Sequence, residues 1–396
     1  MTHSKPSQLR QPDDLVRVVL SMNDLVERDK GTAPLLAHSF SSDALARERL
    51  TTYEACRSAL VDLVSEVEAL EATARTRALL DVLRALQAQA EEGMGESMAY
   101  QEKVRRFTGV PNEMVSEEEI AGLQDALSAH LARAGYRGSL SRALGEWRTR
   151  TDVGSEFLNE ATALFERSLA ETRAKVVGLP DDAEIDFEPV RGVFYRGYSD
   201  STGPYRAHIT LNADLEWPAA ALKHVVTHEG CPGHFAISAM RQRQADLGLL
   251  PVEQSFFFAN TPVTSINEGT CNLGVYLLGW FDTFDDLICL HSDLLRSALL
   301  GNMCYLYHQH GKDEGDVAAY FVAEGGVSQA AAEQTMRFVK HPLWHTSNPH
   351  YWHGTHRVFN AYHACLRQDR WADLVRCLYD ELHTYASLHL ALGLES

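Results

Sequence analysis

Thr227-His-Glu-Gly-Cys-Pro-Gly-His234 follows an apolar stretch and places two imidazoles and a carboxylate within seven residues. His228 and His234 can supply nitrogen ligands to a metal ion, and Glu229 can act as a base toward water, which are the parts a zinc hydrolase needs. A second motif, residues 266–272 (Ile-Asn-Glu-Gly-Thr-Cys-Asn), supplies Glu268 as a candidate third ligand. The sequence therefore predicts one zinc ion per chain, held by two histidines and a glutamate.

The six-residue spacing of the two histidines requires a break in the helix. Six residues correspond to roughly 240° of rotation on a continuous helix, whereas the HExxH signature spaces its histidines at i and i+4. Gly230, Pro232 and Gly233 supply the break, because proline disrupts a helical turn and glycine permits unusual backbone angles. The pattern predicts a broken turn that brings His234 beside His228. In the alternative interpretation the helix simply ends here and both histidines are structural.

Two other ligand combinations remain open within these motifs. His224 and His228 are spaced i, i+4 and would share a helix face, but no acidic residue follows His224 where a base is needed. Cys231 and Cys271 could be soft ligands, with a small buried thiol as the other interpretation.

The composition is that of an ordinary soluble globular protein. The chain has 396 residues, of which 45% are hydrophobic and 23% are charged. Its seven scattered cysteines form no CxxC pair, which argues against a disulfide framework and a cysteine-only zinc site. No apolar run approaches the roughly 18–20 residues of a membrane span, and the first residues lack the apolar region of a signal peptide. We therefore expect a cytoplasmic protein.

The formal net charge of −18, without any basic run, makes nucleic acid and anionic membranes unfavourable partners. The expected partner is instead a small peptide or an amide-containing small molecule. A homodimer is compatible with this composition.

Helical periodicity predicts a mainly α protein built on a bundle of long helices. From about residue 13 to residue 177, leucine and alanine recur at spacings of three and four between charged residues. Pro111 interrupts this pattern, and Ser116 followed by three glutamates indicates a capped restart. We expect a disordered lead (residues 1–14), a helical region (15–180) and a zincin-like catalytic region (181–396), the last two able to form one continuous domain.

Residues 185–217 are β-like and predict a small antiparallel element beside the metal-binding helix. Two short strands are joined by a loop rich in serine, glycine and proline, residues 199–204. The second strand, residues 205–212, is the candidate edge strand for binding a substrate backbone, with a plain buried strand as the alternative. Pro218 then opens a helix over residues 219–230 that carries the first motif.

The motif His-Glu-x-x-Pro-Gly-His, a later Glu-Gly and a late Tyr-x-x-Gly resemble a bacterial family known as domain of unknown function 885. That family is regarded as gluzincin-like and distantly related to thermolysin-type and carboxypeptidase-Taq-type metallopeptidases, and the likeness covers roughly residues 185–385. The resemblance implies that His228 and His234 are the histidine ligands, that Glu268 is the glutamate ligand and that Glu229 is the catalytic glutamate. It also implies that Tyr351 faces the metal and that His310 matches a further histidine of the family.

This sequence departs from the family pattern at two positions near the site. Phe235 stands where the family commonly has a further histidine, and Asn267 stands where it usually has serine. Residues 267–272 also resemble the Asn-Glu-x-x-Ser-Asp motif of thermolysin-like enzymes. These differences leave the substrate class open.

Histidines and aromatic residues are concentrated in residues 341–356, and their density predicts a pocket wall rather than a solvated loop. Such side chains can donate to an oxyanion, while a packed loop over the bundle is the other interpretation. Arg191, Arg196 or Arg206 could clamp a substrate carboxylate, although a surface salt bridge is the commoner role of an arginine.

The candidate ligands, the candidate base and the predicted pocket wall together predict a zinc-dependent hydrolase that cleaves a peptide or amide bond. Zinc lowers the pKa of a water from 15.7 toward roughly 7, and Glu229 takes the proton and passes it to the leaving amine. One alternative is a small-molecule metalloenzyme of specialised metabolism, a hydrolase or a lyase, and a further one is a metal-free binding protein on a degenerate zincin fold. Two imidazoles and a carboxylate also suit manganese, iron or cobalt.

Overall fold

The computed structural model describes residues 12–31, 48–111, 113–256 and 258–394, and the chain is mainly helical, as the sequence predicts. Residues 1–11 of the predicted disordered lead lie outside the described residues, and the first helix already begins at Pro12. The helices that precede the sheet are α1 (Pro12–Lys30), α2 (Tyr53–Glu68), α3 (Ala74–Gly93), α4 (Tyr100–Thr108), α5 (Glu117–Arg133), α6 (Leu140–Thr151) and α7 (Phe157–Lys175).

The predicted interruption at Pro111 is confirmed, because α4 ends at Thr108 and α5 begins at Glu117. The Ser116 side chain accepts a hydrogen bond from the backbone N–H of Glu119, and the Glu119 side chain accepts one from the backbone N–H of Ser116. This reciprocal capping box satisfies two of the unpaired donors at a helix start.

Two large hydrophobic cores and one small cluster around Trp280 stabilise the described part of the chain. One is built mainly from α1, α2 and α3, with Phe256, Phe258 and Val263 packed into it. The other extends from α4 through the sheet to Leu392. The predicted boundary at residue 180 stays a prediction, while the cores divide near the end of α3.

The sheet has three strands, β1 (Glu184–Val190), β2 (Gly197–Gly203) and β3 (Arg206–Asn212), in the order β1-β3-β2. The β2–β3 pair is antiparallel, as predicted, and β1 adds a parallel pairing on the other side of β3. β2 occupies most of the segment predicted as a loop. β3 is therefore central, and the expectation that residues 205–212 form the free edge is wrong, because hydrogen bonds occupy both sides of that strand. β2 is an edge strand instead.

The second half of the chain is again helical. Its helices are α8 (Ala219–Glu229), α9 (His234–Asp246), α10 (Pro262–Asn272), α11 (Gly274–Leu277), α12 (Phe284–Cys304), α13 (Glu314–Gly325), α14 (Gln329–Val339), α15 (Pro349–Arg367), α16 (Trp371–Val375) and α17 (Tyr385–Leu392). Short π-helical turns follow α12 (Tyr305–Gln309) and α16 (Arg376–Asp380). Within the described part of the chain, no helix combines the length and apolar character needed to cross a bilayer.

Candidate metal centre

The break predicted between the two histidines is confirmed. α8 ends at Glu229 and α9 begins at His234, so four residues connect the two helices. The connection folds the chain back on itself, and the ring centroids of His228 and His234 lie 4.9 Å apart. A side chain on Gly233 would overlap the carbonyl oxygens of His228 and Thr227, so this close backbone approach requires glycine.

Glu268 of α10 lies against both rings. Its Oε2 is 3.3 Å from Nε2 of His228, and its Oε1 is 3.7 Å from Nε2 of His234. The Glu268 side chain is buried, and both histidines are largely enclosed. Three side chains from α8, α9 and α10 therefore converge, with both Nε2 atoms directed at one carboxylate.

A chain of hydrogen bonds determines the tautomer of His228. The Thr355 hydroxyl donates to the carbonyl of Tyr351 at 2.7 Å, so it must accept the 2.7 Å bond from the Asn272 amide group. This orients Oδ1 of Asn272 toward Nδ1 of His228, 2.9 Å away. A neutral His228 then carries its proton on Nδ1 and leaves the Nε2 lone pair free, which is the arrangement of a histidine that binds a metal.

The electrostatics of the cluster favour a positive charge between these groups. Burial alone would lower the pKa of His228, but its contact with Glu268 and the charge of Glu229 raise that pKa to about 9. Burial lowers the pKa of His234 to about 4 against the opposing effect of Glu268. A divalent cation held by the two rings and Glu268 would supply the charge that these carboxylates attract, so the donor set fits zinc.

Cys271 is a weaker candidate than Glu268 for the third ligand. Its Sγ lies within 4.8 Å of ligand atoms of both His228 and His234. Burial, followed by the charges of Glu268 and Glu229, raises the pKa of Cys271 well above its ordinary value, which disfavours the thiolate that binds metals. Cys231 is fully buried in the main core and burial raises its pKa, so it is a structural thiol.

In two further groups of the described residues, a histidine, a cysteine and an acidic side chain lie close enough to bind a metal ion together. In each group, however, an arginine already forms an ion pair with the carboxylate. His224 lies near Asp293, with Nδ1 3.8 Å from Oδ2, rather than at Glu268. Arg196 already binds Asp293 at 2.7 Å. In the group of Cys377, Glu381 and His383, Arg376 forms an ion pair with Glu381. A guanidinium at the carboxylate makes a second cation unfavourable.

Glu229 lies beside the candidate ligands at the start of β2. A Cβ placed on Gly197 would lie 2.8 Å from Cγ of Glu229, so the strand runs directly along this carboxylate. Burial, with a smaller effect from Glu268, raises the pKa of Glu229 to about 7, while His228 and Arg196 act in the opposite direction. Glu229, the predicted base, therefore lies between the three candidate metal ligands and the edge strand β2.

The two other predicted site residues have different locations. Tyr351, in the first turn of α15, lines the same cleft as Glu229 and Glu268. His310 is exposed and is not brought to the cluster, because Gly311, with φ of +63°, turns the chain into α13 at the surface. The cleft histidine in this part of the chain is His350, which is fully buried.

The cleft has a volume of about 430 Å³. One wall is aromatic, with Trp344 contacting Phe194 at 5.8 Å and stacking on Tyr198 at 6.2 Å between ring centroids. The first five residues of β2 form another wall. The prediction that residues 341–356 contribute to a pocket wall is confirmed by Trp344, His350 and Tyr351.

The three arginines suggested as carboxylate clamps differ in position. Arg191 and Arg206 are exposed and pair with Asp214 and Glu184 on the protein surface. Arg196 lines the cleft, but Asp293 binds it. The structure places a second arginine in the cleft, Arg296 of α12, which sequence patterns did not single out.

Sequence reasoning also missed Asn272 and Thr355, the two residues behind His228. A local signal for both exists in the spacing, since Asn272 follows Glu268 by four residues and Thr355 follows Tyr351 by four. Residues four apart share a helix face. Their connection to each other, however, depends on how α10 packs on α15.

No protein-family model and no curated protein matches the chain. The fold is similar to that of a predicted lipoprotein from Colwellia psychrerythraea, with a TM-score of 0.59 and 14% identity over 99% of this chain and 77% of the other. A predicted lipoprotein of unknown function from Shewanella oneidensis gives a TM-score of 0.54 and 13% identity over 85% and 70% of the two chains. The M32 carboxypeptidase from Deinococcus radiodurans R1 gives 0.47 and 15% identity over 98% and 82%. These similarities concern the fold alone, and the motif-based family resemblance stays a prediction.

Proposed function

We propose that this protein is a zinc-dependent hydrolase that cleaves a peptide or amide bond in a small substrate. One observation carries the proposal. His228, His234 and Glu268 converge at one end of a cleft, and Glu229, which is not in the donor set, lies next to them. Two histidines and a glutamate around an open position are the ligand pattern of catalytic zinc.

Zinc held by these three residues supplies Lewis acidity that brings the pKa of a water near neutrality. The residues of the chain then perform the proton transfers. Glu229 accepts a proton from the attacking water and returns it to the leaving nitrogen, because its carboxylate lies between the ligands and the edge strand. Asn272 holds the His228 ring in the orientation that directs Nε2 at Glu268.

Tyr351 is positioned to stabilise the negative charge that develops on the substrate oxygen. It lines the cleft, and burial, together with Glu268 and Glu229, raises its pKa well above the ordinary value. The hydroxyl therefore stays neutral and donates a hydrogen bond without adding negative charge of its own.

The volume of the cleft favours a substrate of roughly dipeptide size. Its volume of about 430 Å³ lies toward the lower end of the range for ligand pockets, about 300–1,000 Å³. The free edge of β2 can pair with an extended backbone, and the aromatic wall can hold an apolar group.

The test combines metal content with activity on a panel of di- and tripeptides. We expect one zinc per chain in the wild type, loss of zinc in His228→Ala, and loss of hydrolysis with zinc retained in Glu229→Gln. Glu166→Gln, an exposed glutamate on α7, is the matched control and should leave both unchanged. Full activity of Glu229→Gln, or unchanged zinc in His228→Ala, would refute the proposal.

The small volume of the cleft also favours the second candidate, a metalloenzyme that acts on a small non-peptide molecule. Zinc binding combined with complete inertness toward peptides would support this alternative. Absence of any transition metal after zinc loading would instead indicate a metal-free binding protein.

A further inference from the structure

Helix α12 carries charged side chains that line the cleft. Asp293 and Arg296 are spaced i, i+3 on this helix and both line the cleft. Arg196 approaches Asp293 from the segment before β2, with Nη1 2.7 Å from Oδ1. We call Arg148, Arg196, Arg296 and Asp293 the arginine corner.

Arg296 differs from Arg196 in that no carboxylate of the described residues lies within ion-pair distance of it, although Asp293 lies close enough to act on its pKa. Asp293 binds Arg196, and across the residues that the structure describes Arg296 forms neither an ion pair nor a hydrogen bond. Arg148, which does not line the cleft, adds a third positive charge. The arginine corner itself carries three cations and one anion, while Glu216 acts on Arg148 and Glu229 acts on Arg196, which leaves Arg296 as the arginine of this group that no further carboxylate offsets.

Arg296 keeps its charge despite its enclosed position. Burial, followed by the charge of Arg196, lowers its pKa to about 10, which leaves the guanidinium protonated at neutral pH. Asp293 opposes this shift but pairs with Arg196, so Arg296 is a half-buried cation without a carboxylate in contact, and a ligand with a negative charge offsets that cost.

Arg296 lines the same cleft as the residues that would carry out the proposed hydrolysis. Tyr351 lines the same cleft as Arg296, Glu268 and Glu229, so one substrate can reach the tyrosine, the candidate metal ligands and the arginine corner. A substrate bound in the cleft with its scissile bond at Tyr351 can therefore contact both Arg296 and β2.

We propose that Arg296 determines substrate specificity by binding a carboxylate group on the substrate. The guanidinium fork matches the two oxygens of a carboxylate and can form two parallel hydrogen bonds. The preferred substrates are then small amides or peptides that carry a carboxylate near the scissile bond and an apolar or aromatic group facing Trp344. This inference rests on the proposed function, because it takes the cleft as the substrate site.

The experiment compares two probes of the same size that differ in charge, 3-phenylpropanoate and 3-phenylpropanamide. Binding to the full chain is measured at pH 7 by ligand-observed NMR titration, after divalent metal has been removed with a chelator so that the carboxylate cannot bind a metal ion. We expect the carboxylate to bind roughly 10- to 100-fold more tightly than the amide in the wild type.

The variants separate a direct contact from a general field effect. Arg296→Met should bind both probes equally, whereas Arg148→Met removes the same charge from the arginine corner outside the cleft and should keep the preference. The proposal is overturned if the wild type shows no preference, if Arg296→Met keeps it, or if Arg148→Met loses it equally. If circular dichroism shows that Arg296→Met is unfolded, the wild-type comparison and Arg296→Lys, expected to keep only part of the preference, decide the question.

The outcomes also distinguish this inference from the proposed function. A carboxylate preference that depends on Arg296, without hydrolysis of any peptide, would support the anion site and refute the hydrolase. Hydrolysis that depends on Glu229 but is equally fast for charged and uncharged substrates would support the hydrolase and refute the role of Arg296.

Discussion

Gly269 of α10 and Gly354 of α15 pack backbone against backbone. A side chain on Gly269 would overlap the carbonyl oxygen of Gly354, and one on Gly354 would overlap the carbonyl oxygen of Ser265. Each glycine belongs to a motif that the sequence singled out, next to Glu268 in one case and three residues after Tyr351 in the other. This close crossing is what brings the third candidate ligand and the tyrosine into one cleft.

Substituting either glycine of the crossing should separate the two helices. We expect Gly269→Ala and Gly354→Ala each to lower the free energy of unfolding by about 1–3 kcal/mol, the cost of overpacking a core, and to weaken zinc binding. Urea denaturation and metal content measure both effects. Gly122→Ala in α5, where a Cβ meets nothing within 4 Å, should be neutral or stabilising. Stability and zinc content equal to the wild type in both crossing variants would contradict the prediction.

The turn between α8 and α9 should tolerate no side chain at Gly233. In Gly233→Ala the new methyl group would overlap the His228 and Thr227 carbonyl oxygens, so the connection must open and the two imidazoles must separate. We expect loss of stoichiometric zinc, measured by elemental analysis of the purified protein. Gly145→Ala, at an open position in α6, serves as the control. Zinc retained by Gly233→Ala would show that the turn does not position the ligands.

The hydrogen bonds behind His228 should contribute to zinc affinity. We expect Asn272→Ala to weaken zinc binding by about 10- to 100-fold, because the His228 ring loses the acceptor that selects its tautomer. Thr355→Val should have a smaller effect in the same direction, and Thr355→Ser, which keeps the hydroxyl, should restore the wild-type value. Competition with a chromophoric chelator measures these affinities. Wild-type affinity in Asn272→Ala would show that this connection is not functional.

The buried ion pair between Lys223 of α8 and Asp286 of α12 should make stability depend on pH. The two charged atoms lie 2.6 Å apart, and Asp286 also accepts hydrogen bonds from Thr283. Burial opposes ionisation, but Lys223 and Thr283 hold the pKa of Asp286 below its ordinary value. The stabilisation is therefore complete above the unfolded pKa of about 3.9 and is lost as the pH falls through the lower folded pKa.

At pH 7, Asp286→Ala should lower the free energy of unfolding by about 3 kcal/mol, because it leaves Lys223 only the Trp280 carbonyl and the exposed Asp282, whose carboxylate is 3.8 Å away. The difference from the wild type should shrink toward pH 3, as measured by urea denaturation at both values. Glu314→Gln, which removes an exposed ion pair with Lys340, should cause little change at either pH. A difference for Asp286→Ala that stays constant with pH would contradict the assignment.

Tyr351 and His310 should respond differently to substitution, although the family resemblance implies both. We expect Tyr351→Phe to reduce kcat by on the order of 100-fold with zinc retained, since it removes a donor to the developing oxyanion. His310→Ala should keep wild-type kinetics, because that side chain is exposed outside the cleft. Steady-state kinetics on a cleaved peptide, together with metal content, test both. A large loss in His310→Ala would overturn this distinction.

Sequence patterns predict the local backbone structure of this chain well, but they predict the pairing of its β-strands poorly. Gly230, Pro232 and Gly233 predicted the broken turn, because proline and glycine act on the backbone within a few residues. Residues 199–204 were predicted as a loop from their serine, glycine and proline content, yet β2 extends to Gly203. Pairing with β3 outweighed the weak strand propensity of these residues, since strand preference depends on neighbouring strands.

The amino-acid sequence by itself determined the helices, their caps and the residue types of the candidate metal centre, because periodicity, capping and backbone restrictions act over one or two turns. Only the tertiary structure decided which of these residues meet. The crossing of α10 and α15 connects Asn272 to Thr355, the central position of β3 leaves β2 as the free edge beside Glu229, and the packing of α12 presents Arg296 to the cleft. Contacts between distant segments depend on how whole elements pack, and no local pattern in the chain encodes them.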